Sequence, residues 1–341
     1  MPMSRRHVLA GLVAAPAVLT FPRGALAALN TTTLKISHQF PGGSIDKGDF
    51  RDRLCRIFAR DVEQRTNGAL RFEIYAGASL MKTNAQFSAV RKGALDFTLY
   101  PLAYAGGEVR ACNVGLMPCL VTSYEQGARW KTAPIGKALS DVLESKGVKI
   151  ISWIWQSGGV ASRALPIQQP RDAKGLRIRG GSRDMDLMFA GAGAKVSMMP
   201  SNEIYIGMQT GSLDAAVTSS TSLVSFRLAE LASGFTSARQ GSFWFMFEPL
   251  LMSKAIFDIL PKDQQQAILD VGAAMEPWGT EQARNDDERA AKIYGEKAKV
   301  VDLSADDLSK WRAVAETSAW ANYASQSTET AALLALAKEV A

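Results

Sequence analysis

A chain of 341 residues suits two domains of ordinary size better than one small one. With 47% apolar and 21% charged residues, its composition is that of a globular protein with no sign of disorder. The net charge of +6 becomes 6 − 3 = +3 once Arg5, Arg6 and Arg23 of a removable leader are set aside. With no dense Lys/Arg stripe, that balance excludes a nucleic-acid partner.

The leader is residues 1–27. It has a charged start, an apolar run from Val8 to Phe21 and Ala25-Leu26-Ala27, the three-part pattern of a signal peptide cut near Ala27. Ser4-Arg5-Arg6-His7-Val8-Leu9 adds the mark of twin-arginine export. The run falls short of the roughly 20 residues a membrane span needs. No Cys follows it to carry a lipid. The mature chain is expected to be soluble and periplasmic.

Leu34–His38 reads as the first strand, followed by a loop at Phe40–Ser44 and an amphipathic helix over Asp49–Arg65 ending at Asn67-Gly68. Leu70–Tyr75, a helix over Asn84–Lys92 and Leu95–Tyr100 complete a β-α-β-α-β unit, whose strands should run parallel. Residues 123–146 look helical. Val148–Trp155 reads as one long apolar strand crossing between domains, with Gly158-Gly159 following it at once. A second β-α-β-α-β unit follows. Its strands are Leu176–Arg179, Ala194–Met199 and Leu213–Thr218. Its helices are an apolar face from Met185 to Phe189 and a helix opened by Ser201 or Asn202. Phe243–Met252 reads as a strand returning to the first domain. From Pro261 a helical pattern runs to about Lys299, either one long helix kinked at Pro277 or two helices. Helices beginning at Ser304 close the chain and should pack on the second domain.

Ligands in such sheets sit beyond the carboxyl ends of the strands. Arg179 ends one strand and Thr218-Ser219-Ser220-Thr221 end another, so a guanidinium and a set of hydroxyls converge on one crevice. Thr218 and Ser219 are the candidate ligand contacts, with helix capping the competing role. Arg177 is assigned the opposite strand parity to Arg179, pointing away from it, and so a structural or surface role. Trp153, Trp155, Phe243, Trp244 and Phe247 near the crossover strands are either core or an apolar cleft wall. Arg163 is either a second cation from the crossover loop or a surface residue. Tyr100, Tyr104 and the Phe40–Ser44 loop form the facing lip.

Catalytic signatures are missing. The two histidines are His7, in the leader, and His38, so a histidine metal cluster is impossible, and there is no phosphate loop, nucleophile elbow or C-x-x-C. Neither a cofactor nor a metal is expected. Cys55 reads as a buried small hydrophobe, while Cys112 and Cys119 could pair in an oxidising compartment.

The pieces TNGALRFEIYAGASL, AVRKGALDFT, LPIQQPRDAKGLRIR and EIYIGMQTGSLDAA occur in the order found in the solute-binding proteins of tripartite ATP-independent periplasmic (TRAP) transporters, a family the chain resembles over about Leu34–Val301. The resemblance implies two Rossmann-like α/β lobes of the periplasmic binding protein type, joined by crossover strands and a long bridging helix. Lobe I would hold 28–155 and 242–280, and lobe II 156–241 and 281–341. It also implies that Arg179 pairs with a ligand carboxylate, that no enzyme is involved, and that a monomer hands an organic acid to a membrane permease pair. The family often has asparagine where this chain has Thr218. Two other readings stay open: an exported enzyme using a hydroxyl of 218–221, though without a histidine base beside it, and a binding protein that feeds a membrane sensor.

Overall fold

A computed structural model describes residues 31–340. The leader and its export motif lie outside the described residues. The strands, in chain order, are β1 (Thr32–Ser37), β2 (Leu70–Tyr75), β3 (Phe97–Leu99), β4 (Val148–Ser152), β5 (Trp155–Ser162), β6 (Arg177–Arg179), β7 (Lys195–Val196), β8 (Ala215–Ser219), β9 (Gly234–Ser237), β10 (Phe245–Phe247), β11 (Leu250–Ser253) and β12 (Lys299–Asp302). They form two sheets. One has the order β2-β1-β3-β11-β4, and the other β12-β9-β5-β8-β6-β7 with β10 beside β5.

In the first sheet β1 runs parallel to β2 and β3, as the unit's pattern predicts. Its apolar alternation buries Leu34 and Ile36 under the helix Phe50–Arg65. That helix starts where the Asp49 carboxylate accepts the Arg51 N–H (2.9 Å). It docks through Phe58, whose ring lies 5.7 Å from Phe72 and 5.6 Å from Phe97. In the second sheet β6 is parallel to β7 and β8, again as the pattern predicts. The helix Arg183–Gly191 between them is capped by Ser182 Oγ, which accepts the Met185 N–H at 3.1 Å.

The crossovers are real but shorter than the sequence suggests. Val148–Trp155 is two strands. β4 stays in the first sheet, the chain turns at Trp153-Ile154, and β5 joins the second sheet. β5 does not stop at Gly158-Gly159 but runs through them. A Cβ on Gly158 would fall 2.3 Å from Thr218 O and one on Gly159 2.4 Å from Thr236 O, so flat glycines let β8 and β9 close in on both sides. Phe243–Met252 is likewise split at Glu248-Pro249 into β10 and β11, one in each sheet.

Other boundaries shift for local reasons. Pro134 divides 123–146 into the helices Tyr124–Trp130 and Pro134–Ser145. Neither Ser201 nor Asn202 caps a helix with its side chain; a 3-10 turn at Ser201–Glu203 leads into Ile204–Gln209. Lys262–Gly295 is one helix with Pro277 inside it, and it packs on both the Phe50–Arg65 helix and the Ser220–Ser225 helix. The closing helices do not all pack on the second sheet's side. Ala305–Ala315 packs on Arg183–Gly191, whereas Thr328–Lys338 packs on Pro134–Ser145, where Leu333 and Ala337 find apolar cover. Cys55, Cys112 and Cys119 are all buried free thiols, so the Cys112–Cys119 disulfide does not form.

Candidate functional site

Arg179 bridges the two sheets: it touches Val217 of β8 in its own sheet and Tyr104 of the turn that follows β3 in the other. It is the last residue of β6, in register with Ala216 of β8. Only 1% of its surface is exposed. Its Nε donates to Met199 O (3.0 Å), Nη1 to Val217 O (2.9 Å) and Nη2 to Tyr104 Oη (2.6 Å). Among the described residues it forms no ion pair. Gly181 makes the packing possible: its φ is +96°, and a Cβ there would sit 2.6 Å from Arg179 Nη1. Asp186 is close enough for its carboxyl to feel the Arg179 charge but forms no ion pair with it, and a buried cation so weakly compensated is costly to keep.

Arg177 is on the surface, but not for reasons of parity. Residues two apart share a strand face. The two arginines differ in depth along β6: Arg177 lies at its outer end and pairs with Asp214 (Nη2–Oδ1, 2.6 Å), holding that carboxyl down at about 2.

Some of the other predicted residues gather around Arg179 and some do not. Trp244 does: its Nε1 donates to Gly180 O at 3.2 Å, beside the loop that covers the guanidinium. Thr218 follows Val217, whose carbonyl Arg179 holds. Ser219 is close by but spends its hydroxyl on capping Ser222 N (3.2 Å) and on Arg51 (3.3 Å). Tyr100 is buried between Phe87 (6.0 Å) and Tyr104 (5.9 Å), so it supports the lip rather than lining it. Trp155 points to the long helix, packed against Trp130 (5.0 Å) and Phe247 (5.1 Å), and lines a cavity of about 540 Å³ with Tyr124, Trp153 and Pro277. Phe243 is core, lying against Phe189 and Trp311. Arg163 is exposed at the opposite end of β5, where its N–H meets Asp214 O. The structure therefore unites Arg179, Trp244 and Thr218, and leaves Arg163, Phe243 and Trp155 elsewhere.

Sequence reasoning missed a second buried guanidinium. Arg51, in the first turn of the Phe50–Arg65 helix, pairs with Asp49 (2.7 Å) and reaches across to Ser222 Oγ (3.0 Å) and Ser219 Oγ (3.3 Å), beyond β8. It lies over the Phe40 ring at 3.7 Å. Glu248, between β10 and β11, stands 3.7 Å from Arg51 and accepts from Gln156. Burial lifts the Glu248 carboxyl to about 7, with the Asp49 charge adding to it and Arg51 and Gln156 opposing. One signal was available: an arginine in a helix's first turn opposes the macrodipole and needs a local reason. Asp184 and Asp186, at the start of the Arg183–Gly191 helix, are also raised to about 7. For both, burial is the main cause.

Among the described residues no helix is long and apolar enough to cross a membrane. The family model for bacterial extracellular solute-binding protein, family 7, matches residues 52–326. A solute-binding protein of Albidiferax ferrireducens is 57% identical over 338 residues, 99% of each chain. The crystal structure of a TRAP periplasmic solute binding protein from Rhodoferax ferrireducens, with bound malonate, shares 59% identity at a TM-score of 0.89 and covers 90% of this chain and 98% of that one. A TRAP periplasmic solute binding protein from Sulfitobacter, with bound β-D-galacturonate, has the same fold at 21% identity and a TM-score of 0.81, covering 90% and 99%.

Proposed function

Since the chain belongs to family 7 of the bacterial extracellular solute-binding proteins, which act as transport receptors rather than enzymes, we propose that it is the periplasmic receptor of a TRAP transporter. Its ligand is an organic acid, bound between the two lobes with its carboxylate on Arg179. It acts as a monomer that is exported by its leader and then hands the acid to a membrane permease. The observation that carries this reading is the Arg179 guanidinium, 1% exposed and without an ion pair among the described residues, at the meeting point of the two sheets. A planar fork that stays charged at every relevant pH matches a carboxylate. Malonate in the 59% identical relative fits a small acid of this kind. Trp244 and Thr218 complete the lobe II side, Trp244 leading into β10 of the second sheet although 242–280 was expected in lobe I, and Tyr104 faces them from lobe I. The lobes are the two sheets with their helices, tied by the turns at Trp153-Ile154 and Glu248-Pro249 and braced by Lys262–Gly295.

A thermal-shift screen of mono- and dicarboxylic acids, malonate and succinate among them, tests the proposal. Acids raise the melting temperature and their amides do not. If the amides stabilise as well as the acids, a carboxylate is not what the site selects.

A further inference from the structure

Tyr104 belongs to the 3-10 turn Leu102–Gly107 after β3, in lobe I. Its backbone N–H is fixed to Pro101 O (3.0 Å) and its ring stands edge-on to Tyr100 at 5.9 Å. Its hydroxyl nevertheless meets two donors of lobe II: Arg179 Nη2 at 2.6 Å and the Ser201 backbone N–H at 3.1 Å. A phenol oxygen has two lone pairs and one proton. Both lone pairs are taken by these donors, one of them a cation. The remaining O–H has no acceptor among the described residues. Arg179 is in a similar position. Of the five guanidinium N–H donors, it uses three on Met199 O, Val217 O and Tyr104 Oη, leaving two.

Two guanidinium donors from lobe II and one hydroxyl donor from lobe I are therefore left without a hydrogen-bond acceptor among the described residues. A carboxylate is acceptor-only, with about four lone-pair sites on two oxygens. A hydroxyl whose oxygen already accepts from a cation is polarised, so it donates more strongly. We propose that Tyr104 is a ligand-binding and closure-sensing residue. Its O–H donates to the same carboxylate that Arg179 holds, so that one ligand group is gripped by both lobes. This rests on the carboxylate reading of Arg179 and adds to it a lobe I partner with a kinetic role. The grip exists only when β3 and β6 face each other closely, so it forms after the acid has landed on lobe II. It therefore slows departure and leaves arrival unchanged.

Stopped-flow binding of malonate and of succinate to the wild type, Tyr104→Phe and Arg179→Met separates the two claims. Tyr104→Phe removes one oxygen from a ring that keeps its packing against Tyr100. The expected result is dissociation roughly ten- to a hundredfold faster, the range for one hydrogen bond to a charged group, with association within about twofold. X-ray scattering at saturating malonate should then show a larger open fraction in Tyr104→Phe than in the wild type. A purely structural role would lower the active fraction and the melting temperature without selectively raising the off-rate. If Arg179→Met abolishes binding and Tyr104→Phe releases both acids at the wild-type rate, the Tyr104 inference is overturned and the carboxylate reading stands. If Arg179→Met binds like the wild type, or the wild type binds neither acid, both fall.

Discussion

Arg179→Met removes the guanidinium while roughly keeping the side chain's length, and the structure gives its effect two different signs. In the bound state an acid would face lobe II with no cation. Breaking a buried pair by deleting one partner costs about 3–5 kcal/mol, or roughly two to three and a half decades in Kd at about 1.4 kcal/mol per decade. In the free protein the guanidinium is 1% exposed and lacks an ion pair among the described residues, so deleting it relieves a desolvation cost. Against that relief, the Met199 and Val217 carbonyls lose their donor, at about 1–3 kcal/mol each. These terms oppose, and ligand-free stability should change by less than about 2 kcal/mol. Titration calorimetry with malonate, paired with urea unfolding of the ligand-free protein, reads both quantities. A variant that binds within threefold of the wild type refutes the reasoning. So does one whose loss in unfolding free energy equals its loss in binding, because the arginine would then be a structural residue.

Two further outcomes follow from the same neighbourhood. Gly181→Ala places a methyl 2.6 Å from Arg179 Nη1 on a backbone at φ +96°; it should weaken malonate binding at least tenfold and destabilise the fold by about 1–2 kcal/mol, and unchanged calorimetry on both counts would contradict the packing described. Asp184, buried with its carboxyl raised to about 7 from an ordinary 3.8, holds in the folded state a proton that the unfolded chain releases. Its share of stability is thus complete below about pH 4 and disappears as pH climbs to about 7, at no more than about 1.4 kcal/mol per pH unit. Asp184→Asn should flatten the fall in unfolding free energy between pH 5 and 7, leaving the shares of Asp186 and Glu248, which have the same sign; an undiminished slope would show that Asp184 does not titrate there.

Much of the architecture was readable because strand and helix periods report local burial. Leu34 and Ile36 alternate and are buried, Leu70–Tyr75 is a strand from end to end, and Arg179 and Thr218 fall at strand ends as the β-α-β-α-β pattern requires. The aromatic set was not sorted by its sequence positions. Trp244 reaches Gly180 O while its neighbour Phe243 turns to Trp311, since adjacent residues in an extended segment point to opposite sides. Arg163 lay close in sequence to the crossover but at the wrong end of β5, because that strand runs antiparallel to β8 and carries the chain away from the cleft. Arg51 and Glu248 are not legible in the sequence because nothing in the periodicity of a helix's first turn, or of a turn between two strands, shows which charges will be buried together.

From the sequence alone came the family, the α/β units and the one arginine at the end of its strand. Which groups meet that arginine was decided only in three dimensions. Tyr104 touches Arg179 from 75 residues away, and Arg51 reaches Ser222 across 171. Hydrophobic spacing specifies which side of each element is covered, whereas the partners of a polar head depend on how two sheets are set against each other. That setting is fixed by two short turns, Trp153-Ile154 and Glu248-Pro249, and by the single helix that runs past both.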